Sequence, residues 1–258
     1  MYQTIHYATE GLIATITLNR PERKNALNGE MVNELLYALD AALVDIKVHA
    51  IVIAANGKAF SAGGDLGQMS GGNASGAELP MKGDYSDLLL ALTRATKPVI
   101  AKVQGAAMGG VFGLVAACSL AVMSTDAQLG TPEINVGLWP MMIMALLART
   151  MPRRPLLEMM LLAQKLSAED ALRLSLVNRV VPPERLEIEV KTMAEQLAQK
   201  SPTAITRGLT AYAKMGDMAL AEALPWLRDQ LYELLATEDA REGLMAFMEK
   251  RAPRWTGR

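Results

Sequence analysis

Cysteine and histidine are scarce in this sequence, and their scarcity excludes several kinds of functional site. Cys118 is the single cysteine among 258 residues, so neither an intramolecular disulfide nor a cysteine-based zinc site can form. The two histidines, His6 and His49, are far from Cys118 in the sequence, and no catalytic motif surrounds it. We therefore interpret Cys118 as a small core residue, and we predict no metal site.

A net excess of charge is also lacking. The chain has 26 basic and 27 acidic residues, which gives a formal net charge of -1. This balance provides no electrostatic argument for nucleic acid or an anionic membrane as a partner, and we expect neither. The N-terminal residues do not show the basic and apolar segments of a signal peptide, so we predict a cytoplasmic protein.

One apolar run, residues 105–123, approaches the length of a membrane span, which needs ~20 such residues. Its first part is rich in glycine and therefore typical of a loop, and the remainder would form only about three helical turns. A buried helix in a layered fold explains this run better than a membrane span does.

The hydrophobic pattern predicts an α/β fold. Short apolar or β-branched runs at residues 12–18, 50–54 and 99–103 are typical of buried strands. Apolar residues repeat at helical spacing between them, and Asn28 can cap the first helix. Strand, glycine turn and helix recur every ~50 residues, as in βαβ units. After Pro152 the pattern becomes helical, with predicted helices at 156–162, 167–174, 183–201, 203–213 and 219–248.

Two glycine turns could present free backbone N–H groups. The first contains Gly63-Gly64 at the end of a strand, and the second, Gly109-Gly110, opens a helix, where free N–H groups and the positive end of the helix coincide. Two such groups that converge form an oxyanion hole, but spacing alone favours two ordinary tight turns, because glycine turns are common. The second turn does not match G-x-G-x-x-G, and a Walker A loop is absent, so we reject nucleotide binding.

Glu133 is a candidate acid/base. It follows Pro132 in a largely apolar stretch, where burial would disfavour the carboxylate, raise its pKa and suit it to proton transfer near neutral pH. By itself, the position favours an exposed loop glutamate or a residue at the start of a helix after proline.

Taken together and in order, these segments resemble the crotonase family, also called the enoyl-CoA hydratase/isomerase family. The matching segments cover nearly the whole chain and lie at residues 17–21, 25–27, 60–66, 101–110, 132–138 and 247–251. The resemblance implies an α/β, crotonase-like spiral of ββα turns over residues 1–200. It further implies a C-terminal helical region, residues 201–258, that supports homotrimers, often paired into hexamers.

The same resemblance implies the site residues. Gly64 and Gly110 would supply the oxyanion amides, and Glu133 the catalytic carboxylate. Lys250 matches a lysine that can reach a CoA phosphate, often that of a neighbouring subunit. The substrate would be an acyl-CoA, with coenzyme A as part of the substrate and no separate cofactor. The predicted substrate- and CoA-binding residues are Arg23, Lys24, Ala62, Gly63, Asp65, Leu66, Trp139 and Lys250.

Two further features of the segments bear on that site. The apolar side chains from Trp139 to Met144 suggest a hydrophobic acyl group. Residues 67–83, rich in glycine and small polar residues, are predicted to form a surface loop from which Glu78 or Asp84 could enter the site.

The sequence departs from the family pattern at one catalytic position. Typical hydratases carry a first glutamate three positions after the second oxyanion glycine, and here that position is Gly113. A single glutamate suits a Δ3,Δ2-enoyl-CoA isomerase, although hydration by one glutamate stays open. A dienoyl isomerase is disfavoured because the position of its further acid is Met141.

The expected function is thus an enoyl-CoA hydratase/isomerase-type enzyme that stabilises an enolate in an oxyanion hole. A CoA-binding homologue without turnover, and a decarboxylase or thioesterase that uses the same enolate, remain as alternatives.

Overall fold

The computed structural model describes residues 2–65, 67 and 79–258. Leu66 and most of the predicted surface loop, including Glu78, lie outside the described residues.

The described residues form nine strands that belong to two sheets. In chain order the strands are β1 Ile5–Glu10, β2 Ile13–Leu18, β3 Ala50–Ala55, β4 Val99–Val103, β5 Ala107–Met108, β6 Leu120–Ser124, β7 Gln128–Gly130, β8 Lys165–Ser167 and β9 Arg179–Val181. The larger sheet has the order β1-β2-β3-β4-β6-β9 and the smaller one the order β5-β7-β8. In the larger sheet β1 and β2 are antiparallel and all other neighbours are parallel. The central strands are nearly uniformly apolar because parallel strands are covered on both faces.

The chain alternates between the two sheets, which produces the ββα repeat that the resemblance implies. After β4 in the larger sheet it enters β5 in the smaller one, passes through a helix, and repeats this path with β6 and β7. Two isolated bridges, Ser61 with Ala107 and Leu27 with Gly64, continue the smaller sheet toward the N-terminal part of the chain. The first glycine turn therefore lies beside the second.

Ten α-helices are described. They are α1 Gly29–Val44, α2 Tyr85–Thr93, α3 Gly110–Ala117, α4 Met141–Thr150, α5 Arg153–Leu162, α6 Ala168–Arg173, α7 Pro183–Ala198, α8 Pro202–Met215, α9 Leu220–Leu235 and α10 Glu238–Met248. Two short 3-10 helices, Pro21–Arg23 and Pro132–Val136, lie in loops. Helix α1 begins at the predicted cap, because Asn28 Oδ1 accepts a hydrogen bond from the Met31 N–H at 2.9 Å.

The structure corrects several predicted elements. The predicted helical stretch 219–248 consists of two helices, because Thr237 Oγ1 accepts a hydrogen bond from the Ala240 N–H and starts a new helix there. Strands β1, β5, β7, β8 and β9 and helix α4 are not predicted from the sequence, and β8 and β9 lie in the part after Pro152 that was expected to be helical. The apolar run 105–123 is divided among β5, α3 and β6. No helix in the described part of the chain has both the length and the hydropathy that a bilayer crossing requires.

The C-terminal helices α8, α9 and α10 contact one another, and the C-terminal segment binds back onto them. The buried carboxylate of Asp239 accepts hydrogen bonds from Ser201 Oγ at 2.7 Å and from the Thr256 N–H at 2.8 Å. Trp255 Nε1 donates to the Gln199 carbonyl oxygen, just before α8. The division of the chain at residue 200 stays a prediction.

Candidate active site

A cavity of about 720 Å³ lies where the two glycine turns meet. Its walls come from the turn after β3, the first residues of α2 and α3, and the segment from the second 3-10 helix into α4. Among the residues that line the cavity are Ala62, Gly63, Gly64, Tyr85, Gly109, Gly110, Glu133, Trp139, Met141, Met142 and Ile143.

The two glycine turns approach closely because neither carries a side chain at the contact. The Ser61 N–H donates to the Ala106 carbonyl oxygen, and the Met108 N–H donates to the Ser61 carbonyl oxygen, which fixes one turn on the other. Gly63 has a φ of +101°, and a Cβ there would lie 2.8 Å from the Met108 carbonyl oxygen. Only glycine combines this backbone conformation with this approach.

Some backbone N–H groups of these two turns have a hydrogen-bond acceptor, and others have none among the described residues. Those of Gly63, Asp65 and Gly109 donate to Ser61 Oγ, the Leu27 carbonyl oxygen and the Gly130 carbonyl oxygen, respectively. Within residues 2–65, 67 and 79–258, no acceptor is bonded to the N–H of Gly64 or Gly110. Gly110 is the first residue of α3, so its N–H is also a free donor at the positive end of a helix. Both unbonded donors belong to residues that line the cavity.

Glu133 lies in the second 3-10 helix and lines the same cavity. The N–H of Leu138 donates to its backbone carbonyl oxygen at 3.0 Å, which holds the turn around it. Its Oε2 atom is buried and has no hydrogen-bond partner among the described residues. Burial raises the pKa of the carboxyl group, because the charged form loses hydration.

Tyr85 is a cavity residue that sequence reasoning missed. It is the first residue of α2, whose start is fixed by a capping box between Asp84 and Asp87. Its hydroxyl donates a hydrogen bond to the Gly110 carbonyl oxygen. Burial, and then the negative charge of Glu133, raise the pKa of the phenol far above neutral pH. The spacing of Asp84 and Asp87 could have located the helix start, but not the direction of the ring.

Comparison with known proteins decides the family. The family model described as "Enoyl-CoA hydratase/isomerase" matches residues 8–258. The chain belongs to the enoyl-CoA hydratase/isomerase family. The resemblance predicted from the sequence is therefore confirmed.

Individual relatives cover almost the entire chain. A protein from Rhizobium meliloti (strain 1021), named "Probable enoyl-CoA hydratase", is 37% identical over 251 residues, which are 97% of this chain and 96% of that protein. The crystal structure of an enoyl-CoA hydratase from Mycobacterium smegmatis matches with a TM-score of 0.91 and 34% identity, over 98% of this chain and 99% of the other. Human enoyl coenzyme A hydratase domain-containing protein 3 matches with a TM-score of 0.92 and 29% identity, over 98% and 100% of the two chains. These matches confirm the crotonase-like fold.

Position 113, where the family resemblance would place a first catalytic glutamate, is a glycine in this chain. A Cβ on Gly113 would overlap Ile143 Cγ2 of α4 and would lie 2.6 Å from Tyr85 Oη. The space that a side chain at this position would need is therefore filled from two other helices.

Among the predicted contacts to coenzyme A, Ala62 lines the cavity, and its N–H donates to the Lys24 carbonyl oxygen at 2.9 Å. The exposed Ala62 marks the rim of the cavity on this side. Lys24 and Arg23 are exposed beside this rim and do not line the cavity. Lys250 is exposed after the end of α10 and is likewise absent from the cavity wall of its own chain.

The other predicted binding residues have different surroundings. Trp139 lines the cavity, with its Nε1 atom 3.4 Å from Met144 Sδ. Asp65 does not line it. Its carboxylate pairs with the guanidinium of Arg20 at 3.3 Å, and its N–H donates to Leu27. These contacts suit the stabilisation of the turn. Leu66 lies outside the described residues.

Proposed function

We propose that this protein is an enzyme of the enoyl-CoA hydratase/isomerase type that acts on acyl-CoA thioesters through one catalytic glutamate. The observation that carries the proposal is the presence of three groups in one cavity. These are the unbonded N–H groups of Gly64 and Gly110 and the half-buried carboxyl group of Glu133, whose Oε2 atom has no partner among the described residues.

In the proposed reaction, the thioester carbonyl oxygen accepts hydrogen bonds from the amides of Gly64 and Gly110. Glu133 takes a proton from the α-carbon of a 3-enoyl thioester, and the electron pair of the C–H bond moves toward the carbonyl oxygen to give an enolate. Glu133 then returns the proton to the γ-carbon, which leaves the double bond between the α- and β-carbons. Loss of one oxyanion donor typically costs about 3 kcal/mol of transition-state stabilisation.

The remaining contacts are proposed from the family resemblance and from position. Arg23 and Lys24 are exposed next to the rim at Ala62, where cations would meet the phosphates of coenzyme A. Lys250 would contribute from a neighbouring subunit. The apolar wall formed by Trp139 and its neighbours in α4 would contact the acyl chain.

The test compares the purified protein with its Glu133→Gln variant on 2-enoyl-CoA and 3-enoyl-CoA, with the hydrated and isomerised products measured separately. Loss of a positioned general acid/base should lower turnover by at least ~100-fold. Glu195→Gln, which changes an exposed glutamate on α7, is the matched control and should leave turnover unchanged. Turnover by Glu133→Gln close to that of the unchanged protein would refute the assignment.

The alternative of a CoA-binding protein without turnover is motivated by the glycine at position 113. It is distinguished by incubating the protein with a saturated acyl-CoA in deuterated water. Incorporation of deuterium at the α-carbon supports the enzyme, whereas binding without incorporation supports the alternative.

A further inference from the structure

Tyr85 presents a hydrogen-bond acceptor to the cavity. Its hydroxyl proton is directed to the Gly110 carbonyl oxygen, and a hydroxyl oxygen that donates its single proton still has lone pairs with which to accept. The same oxygen lies 2.6 Å from the site that a Cβ on Gly113 would occupy. Ile143 Cγ2 and the Tyr85 hydroxyl thus share the place that a side chain at position 113 would take, and the hydroxyl is the polar group of the two.

Glu133 presents a second acceptor across the same glycine turn. Its Oε1 atom lies 2.9 Å from the site of a Cβ on Gly109, and Tyr85 Oη lies 3.6 Å from the site of a Cβ on Gly110. The two oxygens therefore flank adjacent residues of one turn. Since Glu133 Oε2 is buried without a partner among the described residues, the carboxylate retains capacity to bind a small donor.

We propose that Tyr85 and Glu133 together hold a water molecule that adds to a 2-enoyl thioester. A water molecule has two protons, so two acceptors can bind both and leave an oxygen lone pair for the β-carbon. This inference rests on the proposed function, and it assigns hydration to a site with a single carboxylate.

The proposed addition is balanced without any further reactant. The water oxygen forms a bond to the β-carbon while Glu133 takes one water proton, and the electron pair of the double bond moves through the α-carbon onto the thioester oxygen. The amides of Gly64 and Gly110 stabilise this enolate. Glu133 then gives its proton to the α-carbon, so that the net change is the addition of one water.

The two acceptors have different tasks. Tyr85 stays neutral because its phenol is buried and close to a carboxylate, so it orients the water without removing a proton from it. Glu133 alone performs the proton transfer. Tyr85 is therefore a residue that positions the water, and its loss should affect water addition more than proton transfer at the α-carbon.

The test uses Tyr85→Phe, which keeps the ring that packs beside Gly110 and removes only the hydroxyl. Two rates are measured on the full-length protein: hydration of a 2-enoyl-CoA, and exchange of the α-protons of a saturated acyl-CoA in deuterated water. Exchange requires Glu133 and the two amides, but it requires no water addition. It also reports whether the variant is folded.

The ratio of hydration to exchange should fall by about two- to tenfold in Tyr85→Phe, the range expected for one lost hydrogen bond. Tyr37→Phe removes a hydroxyl from a half-buried tyrosine on α1 that does not line the cavity, and it should leave the ratio unchanged. A parallel fall of both rates in Tyr85→Phe would overturn the inference, because the hydroxyl would then act only by fixing the Gly110 peptide.

Two further outcomes separate this inference from the function on which it rests. If the unchanged protein exchanges α-protons but hydrates no 2-enoyl-CoA, the water-holding role is wrong and the proposed enzyme class stands. If it does neither, the proposed function itself is wrong.

Discussion

Glu133 acquires its proposed role from its surroundings. Glutamate is ordinarily exposed and ionised at neutral pH, and burial of one carboxylate oxygen without a partner is costly for the charged form. In this protein such a carboxylate oxygen, Glu133 Oε2, lies at the wall of the cavity. The other oxygen, Oε1, would lie only 2.9 Å from a Cβ on Gly109. Glycine at position 109 is therefore what leaves room for the carboxyl group.

The pH dependence of turnover should report this environment. The carboxylate is the form that takes a proton, so kcat/KM should fall as the pH falls through the pKa of Glu133. Because burial raises that pKa above 4.5, the acid limb should lie at a higher pH than for an exposed glutamate. The measurement is kcat/KM as a function of pH, with substrate stability checked separately. A limb centred at or below pH 4.5 would contradict the assignment to a buried Glu133.

Among individual residues, the sequence predicts those whose role can be recognised from the short segment that contains them. Gly64, Gly110 and Glu133 were predicted because each belongs to a short segment that resembles the family, and all three line the cavity. Tyr85 could not be predicted, since its contact with Gly110 joins two helices and depends on how α2 is oriented.

At the scale of elements, the contact between α3 and α4 depends on one glycine. Helix α3 presents Gly113 to Ile143 of α4, and a side chain at position 113 would fit only if the Ile143 side chain or one of the helices moved. The same contact brings α4 against the cavity, so its packing also sets the position of the apolar wall.

Gly113→Ala should therefore lower the free energy of unfolding. An added methyl group in a well-packed core typically costs about 1–3 kcal/mol, which would outweigh the gain in helix propensity of ~1 kcal/mol. The measurement is denaturant unfolding, with Gly208→Ala as a matched control in α8, where a Cβ would meet nothing within 4 Å. The control should be as stable as the unchanged protein or more so. Equal stabilisation by both substitutions would show that α3 and α4 are not tightly packed at this point.

Buried strands could be predicted from the sequence more closely than exposed ones, because burial requires a run of apolar residues. Strands β3 and β4 are buried along nearly their whole length, so their apolar runs predicted them within one residue. Strand β1 is mostly exposed beyond its first residue, and its sequence, Ile-His-Tyr-Ala-Thr-Glu, lacks a marked apolar pattern. The break at Thr237 was missed because the helical spacing of apolar residues continues on both sides of it.

At the scale of the whole molecule, the C-terminal helices expose many apolar side chains. Phe247 is 84% exposed, Leu220 74% and Met248 72%. Other exposed apolar residues of this region are Tyr212, Leu224, Leu231, Tyr232, Leu235, Leu244 and Met245. Exposed apolar residues in such number are typical of a surface that binds a partner, and a second copy of the chain is the partner that the family resemblance implies.

We therefore predict that the protein forms a homotrimer or hexamer and that the C-terminal helices bury this surface. Light scattering coupled to size exclusion should give a mass of three or six times 27.8 kDa. Phe247→Glu should shift the protein toward the monomer, because a carboxylate buried in an apolar interface without a partner is strongly unfavourable. Ile46→Glu is the matched control, since Ile46 is 89% exposed and lies outside the C-terminal region. A monomeric mass for the unchanged protein would contradict the prediction. So would a trimer that Phe247→Glu leaves intact, because the subunits would then have to meet through another surface.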